Sequence, residues 1–557
     1  MISTKKDWIS LGIITAIALA LRLWGIRFGL PYTYHIDEPF FISGALNLGT
    51  GIVGKQDAVP GLVNILFGEY GTFYVVGRML KLFSSLSSFE QFYRSDPTAF
   101  YLLGRLTSAL LGALTTLTVF GLGKQIFDHR VGLVGAVLLA GAFLHVRDSH
   151  YAVPDVTATF LVATSVLAAV MTLKKNSTLY LLISAGLGGI ALATKWTMWP
   201  VVVPSGLAVY YLAQQRTPER TVGNWLRLAI LAGLMFLISF GLFSFEIFVN
   251  PTAYLDYART EIANGAQGGF SIWQVDNLPG WIFYLKTLGY GTGWALLAFA
   301  TGGAVGLIVA AFRRRESTLI TFLVFPLVYL LFMGSTRHYF ARYALPLIPF
   351  LALSAAWAAD RLAVRLSAKP TGQSAALAGL TLLMVIQPLV YSLRYDQLMT
   401  RVDTRTQAKQ WIEANLPVGA KIAIDWYYHT PLLASPSLDI PIPNSKRAYN
   451  VIEPGFMGLY RDGPAGQYRD EGYDYLIASS YLYNVSLINQ EKQRQRGQFY
   501  ADLDTEYRLV KAFYPNENQT EPTFTFDEIY GPVTSLWQRE QPGPVIKIYA
   551  VNPPNMP

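Results

Sequence analysis

The 557-residue sequence contains no cysteine. Disulfides, thiolate nucleophiles and cysteine-ligated metals are therefore excluded in any compartment. Histidine is scarce, at six scattered copies, and gives no zinc-ligand spacing. No P-loop, dinucleotide fingerprint, HExxH or GxSxG pattern stands in a context that would make it work, which argues against nucleotide-driven chemistry. Charge is also sparse. Only 14% of residues are charged while 52% are hydrophobic, and the mean hydropathy is +0.32, too apolar for a water-soluble chain of this length.

The apolar residues are grouped in runs of roughly the length that crosses a bilayer core of about 30 Å. These runs fall near 8–30, 99–122, 131–146, 152–173, 178–194, 197–213, 225–248, 289–311, 318–334, 344–358 and 374–393. They predict an α-helical polytopic membrane protein of about 11 transmembrane helices. The first run follows Lys5 and Lys6 and has no small-residue cleavage site, so it reads as a retained signal-anchor with a cytoplasmic N-terminus.

Alternate connectors carry the basic residues: Lys124 with Arg130, Lys174 with Lys175, Arg216 with Arg220, Arg313 to Arg315, and Arg361 with Arg365 and Lys369. The net charge of +8 is thus explained by topology and anionic lipid, and nucleic acid is not an expected partner. An odd number of spans places everything after about residue 395 on the external side, in a multi-pass protein of the plasma membrane.

Residues 1–395 are read as the membrane domain, with long external loops at 31–98 and 249–288. Two pieces of the first loop, 39–48 and 62–83, look amphipathic and suit the membrane surface. Residues 396–557 change character: charge and tyrosine rise, and the β-type runs AKIAID, YDYLIAS and VIKIYAV appear, predicting an external C-terminal α/β domain. Its first helix is signposted by Thr404 as the expected cap, with Gln407 at capping-box spacing, and by Pro417 and Gly419 after it. The tyrosines at 427, 428, 473, 475, 481 and 483 suit either sugar stacking or a small sheet core, and no site is assigned to them.

Ionisable residues at the ends of spans are costly and point to function. Asp37 and Glu38, in YHIDEPFF, are adjacent carboxylates before Pro39. They either complement a helix dipole or, with His35 and the aromatics, line a pocket. HVRDSHYAVPD crowds Arg147, Asp148, His150 and Asp155 into one turn between two spans. Lys195 in LATKW, and Arg337, His338 and Arg342 in STRHYFARYALPLIP, are cations on the face that topology leaves poor in them. Headgroup anchoring is one account of them; a bound phosphate is the other, since guanidinium grips phosphate in two places and lysine acts as a point charge.

Together these motifs resemble the membrane-embedded C-type glycosyltransferases, in particular the protein O-mannosyltransferase and aminoarabinose-transferase branch. The resemblance covers about residues 8–395. It rests on Asp37-Glu38, on SHYAVPD ending in Asp155, on Lys195 after a small-residue span, and on RYALPLIP from Arg342. Two departures stand out: His150 occupies the place of the mannosyltransferases' arginine, with Arg147 three residues earlier, and the tail has no repeated β-trefoil domain.

The resemblance implies a polyprenyl-phosphate sugar as donor and a single inverting displacement. Asp37 would act as base, and Glu38 or Asp155 would orient the acceptor or the catalytic carboxylate. Lys195, Arg337 and Arg342 would stabilise the departing phosphate. His35, Arg147, Asp148, His150 and His338 would be further substrate contacts. No cofactor is required, although a divalent cation between Asp37, Glu38 and Asp155 is compatible with the related oligosaccharyltransferases. The acceptor, whether protein, lipid or glycan, is left open. The rival readings are a transporter or lipid flippase, which would show repeated halves with broken helices, and a membrane-anchored scaffold, which needs only one span.

Overall fold

The computed structural model describes residues 5–51, 60–216, 222–267, 279–337, 340–433, 449–455, 458–461, 463–488 and 493–552. Each of the eleven apolar runs falls on a helix. Seven helices among the described residues are long and apolar enough to cross a membrane, and His129–Ala140 and Thr178–Thr194 are shorter apolar helices. The run at 131–146 is divided at Gly141 into His129–Ala140 and Phe143–Asp148. The run at 197–213 opens as the 3-10 turn Trp196–Val201, with Pro200 inside it, before Val202–Arg216. Gly141 is a weak helix former at the first break, and Pro200 has no N–H to give the ladder at the second.

The helices pack through small residues. A Cβ placed on Gly303 would lie 2.0 Å from the Ser354 carbonyl oxygen, so Trp294–Arg314 meets Ile348–Leu366 backbone to backbone. In lipid such close approach supplies the dispersion that the hydrophobic effect cannot. The outer surface is correspondingly apolar. On Val222–Leu242, Ile230, Leu234, Leu237 and Ile238 are each more than half exposed, as suits a helix facing hydrocarbon.

Charge is sorted to the two ends of the bundle. Lys174 and Lys175 close the helix Pro154–Lys175, Arg313 and Arg314 close Trp294–Arg314, and Arg365 lies in the last turn of Ile348–Leu366. The opposite ends of these helices hold Asp155 and the turn that carries Arg342. The first loop covers that second end with the helices Glu38–Gly49, Pro60–Met79 and Leu86–Ser95, close to the amphipathic pieces read from the sequence.

The C-terminal region follows the helix Pro370–Met399. Its sheet contains β1 (Lys421–Ile424), β2 (Asn450–Ile452), β3 (Tyr475–Ser479), β4 (Arg508–Phe513) and β5 (Ile546–Ala550), in the order β2-β1-β3-β5-β4. β1 runs parallel to β2 and β3, and β5 runs antiparallel to β3 and β4. The three runs expected as strands are β1, β3 and β5.

One local expectation needs correction. The helix Thr404–Asn415 is capped by Asp403, whose carboxylate accepts the Arg405 N–H, one residue before the expected cap. Thr404 Oγ1 instead donates to the Pro544 carbonyl at 2.7 Å, drawn away by the tertiary contact. Arg405 then fastens the region to the first loop: it pairs with both Asp403 oxygens, donates to the carbonyls of Tyr34 and Tyr428, and lies 4.0 Å above the Tyr34 ring.

Gly303→Leu should force two core helices apart and destabilise the protein by about 1–3 kcal/mol or more. Thermal unfolding in detergent checks this against Gly302→Leu, whose Cβ would meet nothing within 4 Å.

Candidate active site

Four charged groups from distant parts of the chain meet at the end of the bundle opposite the basic turns. Asp37 sits just before the helix Glu38–Gly49, which Pro39 helps to start. Asp155 lies in the first turn of Pro154–Lys175, and Lys195 caps the following helix, Thr178–Thr194. Consecutive antiparallel helices put the beginning of one beside the end of the next, which brings these two together. Arg342 comes from the 3-10 turn Ala341–Leu347, where Pro346 delays the following helix.

The contacts form a chain. Arg342 Nη2 is 3.2 Å from Asp37 Oδ2, and its Nε is 3.9 Å from Asp155 Oδ2. Asp155 also pairs with Lys195 Nζ. Lys195 stands 4.1 Å over the Tyr343 ring. The Arg342 guanidinium packs into the corner formed by the edge-to-face rings of Phe340, at 4.2 Å, and Tyr530, at 4.1 Å. Its Nη1 is buried and makes no hydrogen bond. Asp37 is the most open of the four, with 26% of its side chain exposed against 3% for Asp155.

Burial raises the Asp37 carboxyl above its ordinary range, and the Arg342 guanidinium opposes that shift. His35 is packed against Tyr151, with ring centroids 4.2 Å apart, and its Nδ1 accepts the Asp37 N–H at 3.3 Å. Burial and the neighbouring arginines, Arg342 first, push its imidazole well below the usual range, so it is neutral. His35 therefore holds the backbone of Asp37 and adds no charge.

The adjacent acid behaves differently. Glu38 is fully buried and pairs bidentately with Arg105, at 2.7 Å on each oxygen, and its Oε1 also accepts the Ala152 N–H. Arg105 further donates to the carbonyls of Ile26 and Phe28. This network pins the first loop to the helix Thr98–Ile126 and spends both Glu38 oxygens. A divalent cation between Asp37, Glu38 and Asp155 does not fit this donor set: Glu38 is occupied by Arg105, and Arg342 bridges the other two. Among the described residues no group of three or more His, Asp or Glu forms a metal site.

The other expected contacts divide. Arg147 and Asp148 form a buried bidentate pair with both bonds at 3.1 Å, leaving Arg147 Nη1 without a partner. His150 is turned into the helix packing, with Nδ1 2.9 Å from the Val146 carbonyl and Nε2 3.0 Å from that of Trp24, so it does not face the cluster. Arg337 is exposed, and its N–H donates to the Gly265 carbonyl; no contact joins its side chain to the cluster. His338 lies outside the described residues.

Several neighbours were not anticipated. Arg105 sits inside an apolar run, and that position was its only signal. Glu261, on the second-loop helix Pro251–Gln267, feels Lys195 and Arg342, and burial raises its carboxyl. Asp527 and Tyr530 come from the 3-10 turn Phe526–Tyr530 of the C-terminal region, and nothing local in the sequence links them to Arg342. Of the tail tyrosines, Tyr473 and Tyr475 are sheet core, whereas Tyr428 and Tyr481 join a cluster with Ile36, Phe340 and Tyr530.

The fold has solved counterparts. It is similar to the Archaeoglobus fulgidus oligosaccharyltransferase AglB in complex with an inhibitory peptide and a dolichol-phosphate: TM-score 0.56 and 12% identity, covering 93% of this chain and 74% of that one. It is also similar to ArnT from Cupriavidus metallidurans bound to undecaprenyl phosphate, with TM-score 0.53 and 13% identity over 98% of each chain. These likenesses define the fold as that of the C-type membrane glycosyltransferases.

Within that class, residues 102–243 match the family of dolichyl-phosphate-mannose-protein mannosyltransferases, a stretch that includes Arg105, Arg147, Asp155 and Lys195. The matched stretch is about a quarter of the 557 residues, and the fold around it is the one implied by the resemblance of the motifs. A search of curated proteins gives no match.

The two neighbouring acids should separate cleanly on substitution. Glu38→Ala leaves Arg105 buried without its partner and should cost about 3–5 kcal/mol of stability. Asp37→Asn, at a partly open position, should leave the melting temperature within a few degrees of wild type. Thermal unfolding of the two purified variants checks the contrast.

Proposed function

We propose that the protein transfers a sugar from a polyprenyl-phosphate donor to an acceptor hydroxyl at this cluster, on the external face of a plasma membrane, with inversion at the anomeric carbon. The observation that carries the reading is Arg342: one guanidinium joins the open carboxylate Asp37 to the Asp155–Lys195 pair and keeps a buried Nη1 unpartnered. A base and an anion-binding group are thereby held side by side. The solved neighbours named for dolichol-phosphate and undecaprenyl phosphate support a lipid phosphate as the anion.

In the step, Asp37 takes the proton from the acceptor hydroxyl while that oxygen attacks the anomeric carbon. The bond from that carbon to the phosphate oxygen breaks, and its electron pair leaves on the polyprenyl phosphate. Arg342 Nη1 and Lys195 stabilise the growing negative charge, where fixed cations act most strongly. Asp155 holds both cations in place, and the leaving phosphate needs no proton. Arg337, exposed and remote in contact, has a lesser part in this reading. Glu38, tied to Arg105, positions Asp37 through the loop. The clustering of basic turns at the far end of the bundle supports a cytoplasmic N-terminus and an external C-terminal region.

Asp37→Asn should lower transfer of labelled sugar from polyprenyl-phosphate hexoses by about 10²–10⁴-fold with folding intact, as loss of a general base does. A folded variant that transfers at the wild-type rate would remove Asp37 from this role.

The pH profile gives a second check. A base works deprotonated, so the rate should fall as pH drops through the raised Asp37 pKa, placing the acid limb above the usual carboxylate range of about 4. Arg342→Gln removes the cation that opposes the shift. It should move that limb to higher pH and lower the plateau by about 10²–10³-fold, both read from single-turnover rates against pH.

A further inference from the structure

We propose that residues 526–535 of the C-terminal region form a strap whose Tyr530 is the positioning residue for Arg342, so that this region is a working part of the phosphate site. The proposal rests on the reading of Arg342 as a phosphate ligand and gives the C-terminal region a role in it.

A guanidinium is planar, so aiming one of its N–H edges requires its faces as well as its other edge to be fixed. The plane rests in an aromatic corner made by Phe340 at 4.2 Å and Tyr530 at 4.1 Å, whose rings stand edge to face with centroids 5.6 Å apart, and the other edge is held by Asp37 and Asp155. What remains is Nη1, buried and unpartnered. Three of the four supports belong to the membrane bundle and its first loop; the fourth is supplied from nearly two hundred positions further along the chain.

The strap is built to hold one shape. Glu528 is fully buried, and its Oε1 accepts the N–H groups of Val533, Thr534 and Ser535 at 3.0, 2.7 and 3.1 Å. Its Oε2 meets Arg539 Nη2 at 3.4 Å. Asp527 Oδ1 accepts the Ala341 N–H at 2.9 Å, tying the strap to the residue immediately before Arg342. Gly531 has a φ of +126°, and a Cβ there would lie 2.9 Å from the Tyr151 hydroxyl and 3.2 Å from that of Tyr395. Only glycine lets the chain leave Tyr530 at this height above the bundle. A domain interface that merely needed burial would require neither a glycine-only crossing nor a carboxylate hub beside the turn.

The test uses the full-length protein in nanodiscs and compares wild type, Tyr530→Phe and Tyr530→Leu for binding of polyprenyl phosphate and for transfer from a polyprenyl-phosphate hexose. A face-on aromatic contact with a desolvated cation predicts about tenfold weaker binding for Tyr530→Leu, with Tyr530→Phe within about threefold of wild type and all three melting alike. That rescue by the ring is what a purely structural role would not give. Should Tyr530→Leu not fold, Asp527→Ala, which removes the acceptor of the Ala341 N–H, is read in the same way and should weaken binding by several-fold.

Equal binding by all folded variants would overturn the proposal, as would equal weakening by the phenylalanine and leucine variants. A wild type that binds polyprenyl phosphate but transfers no sugar would sink the transferase reading while the binding series still decides the strap. A wild type that binds no polyprenyl phosphate overturns both.

Discussion

The site depends on one desolvated guanidinium. Arg342 touches a carboxylate from the first loop, a carboxylate from a span that starts well over a hundred residues earlier, and an aromatic ring from the C-terminal region. A buried charge is expensive unless paired and hydrogen-bonded, so each of these segments is held where Arg342 requires it. The pairing is also incomplete: one nitrogen is buried with nothing to bond. In a structural ion pair that would be a defect. In a site that takes an anion it is a free donor, which a phosphate oxygen would satisfy.

The dipeptide Asp37-Glu38 shows how one local sequence yields two electrostatic roles. The helix begins at Glu38 and points that side chain into the bundle, where Arg105 takes both its oxygens. Asp37, one residue outside the helix, stays at the rim with a quarter of its side chain open. Adjacent carboxylates that both faced one cavity would repel each other and hold a proton between them. Separating them across the helix boundary lets Glu38 stay paired in the interior while Asp37 remains available to titrate.

How much of this was legible in the sequence depends on whether the signal was local. The apolar runs, the segregation of basic turns and the strands β1, β3 and β5 follow from periodicity and composition, and all were readable. Asp37, Asp155, Lys195 and Arg342 were readable because a charge at the end of an apolar run is conspicuous, and the structure joins those four directly. His150 stands out for the same reason but is placed away from those four. It is conspicuous in its turn, yet its ring is enclosed by the Val146 and Trp24 carbonyls and the Asp396 carboxylate inside the helix packing. Arg105 was passed over because attention to span ends misses a cation in mid-run, although such a residue demands a partner. Thr404 looked like a cap until a contact with Pro544, 140 positions away, claimed its hydroxyl.

Tyr530 and Asp527 mark the limit of local reading. FDEIYG resembles any polar surface turn, and its meaning lies in what it touches, which only the folded chain decides. The same consideration bears on why such a contact would be drawn from a separate region at all. A bundle of helices can place groups at its rim, but it can cover them only with loops, and loops hold side chains less firmly than a packed domain does. A small α/β unit seated by Arg405 on the first loop supplies a rigid wall above the rim. It leaves the bundle and the first loop to set the distance between Asp37 and the cations, and adds the Tyr530 ring beside that of Phe340 against the guanidinium.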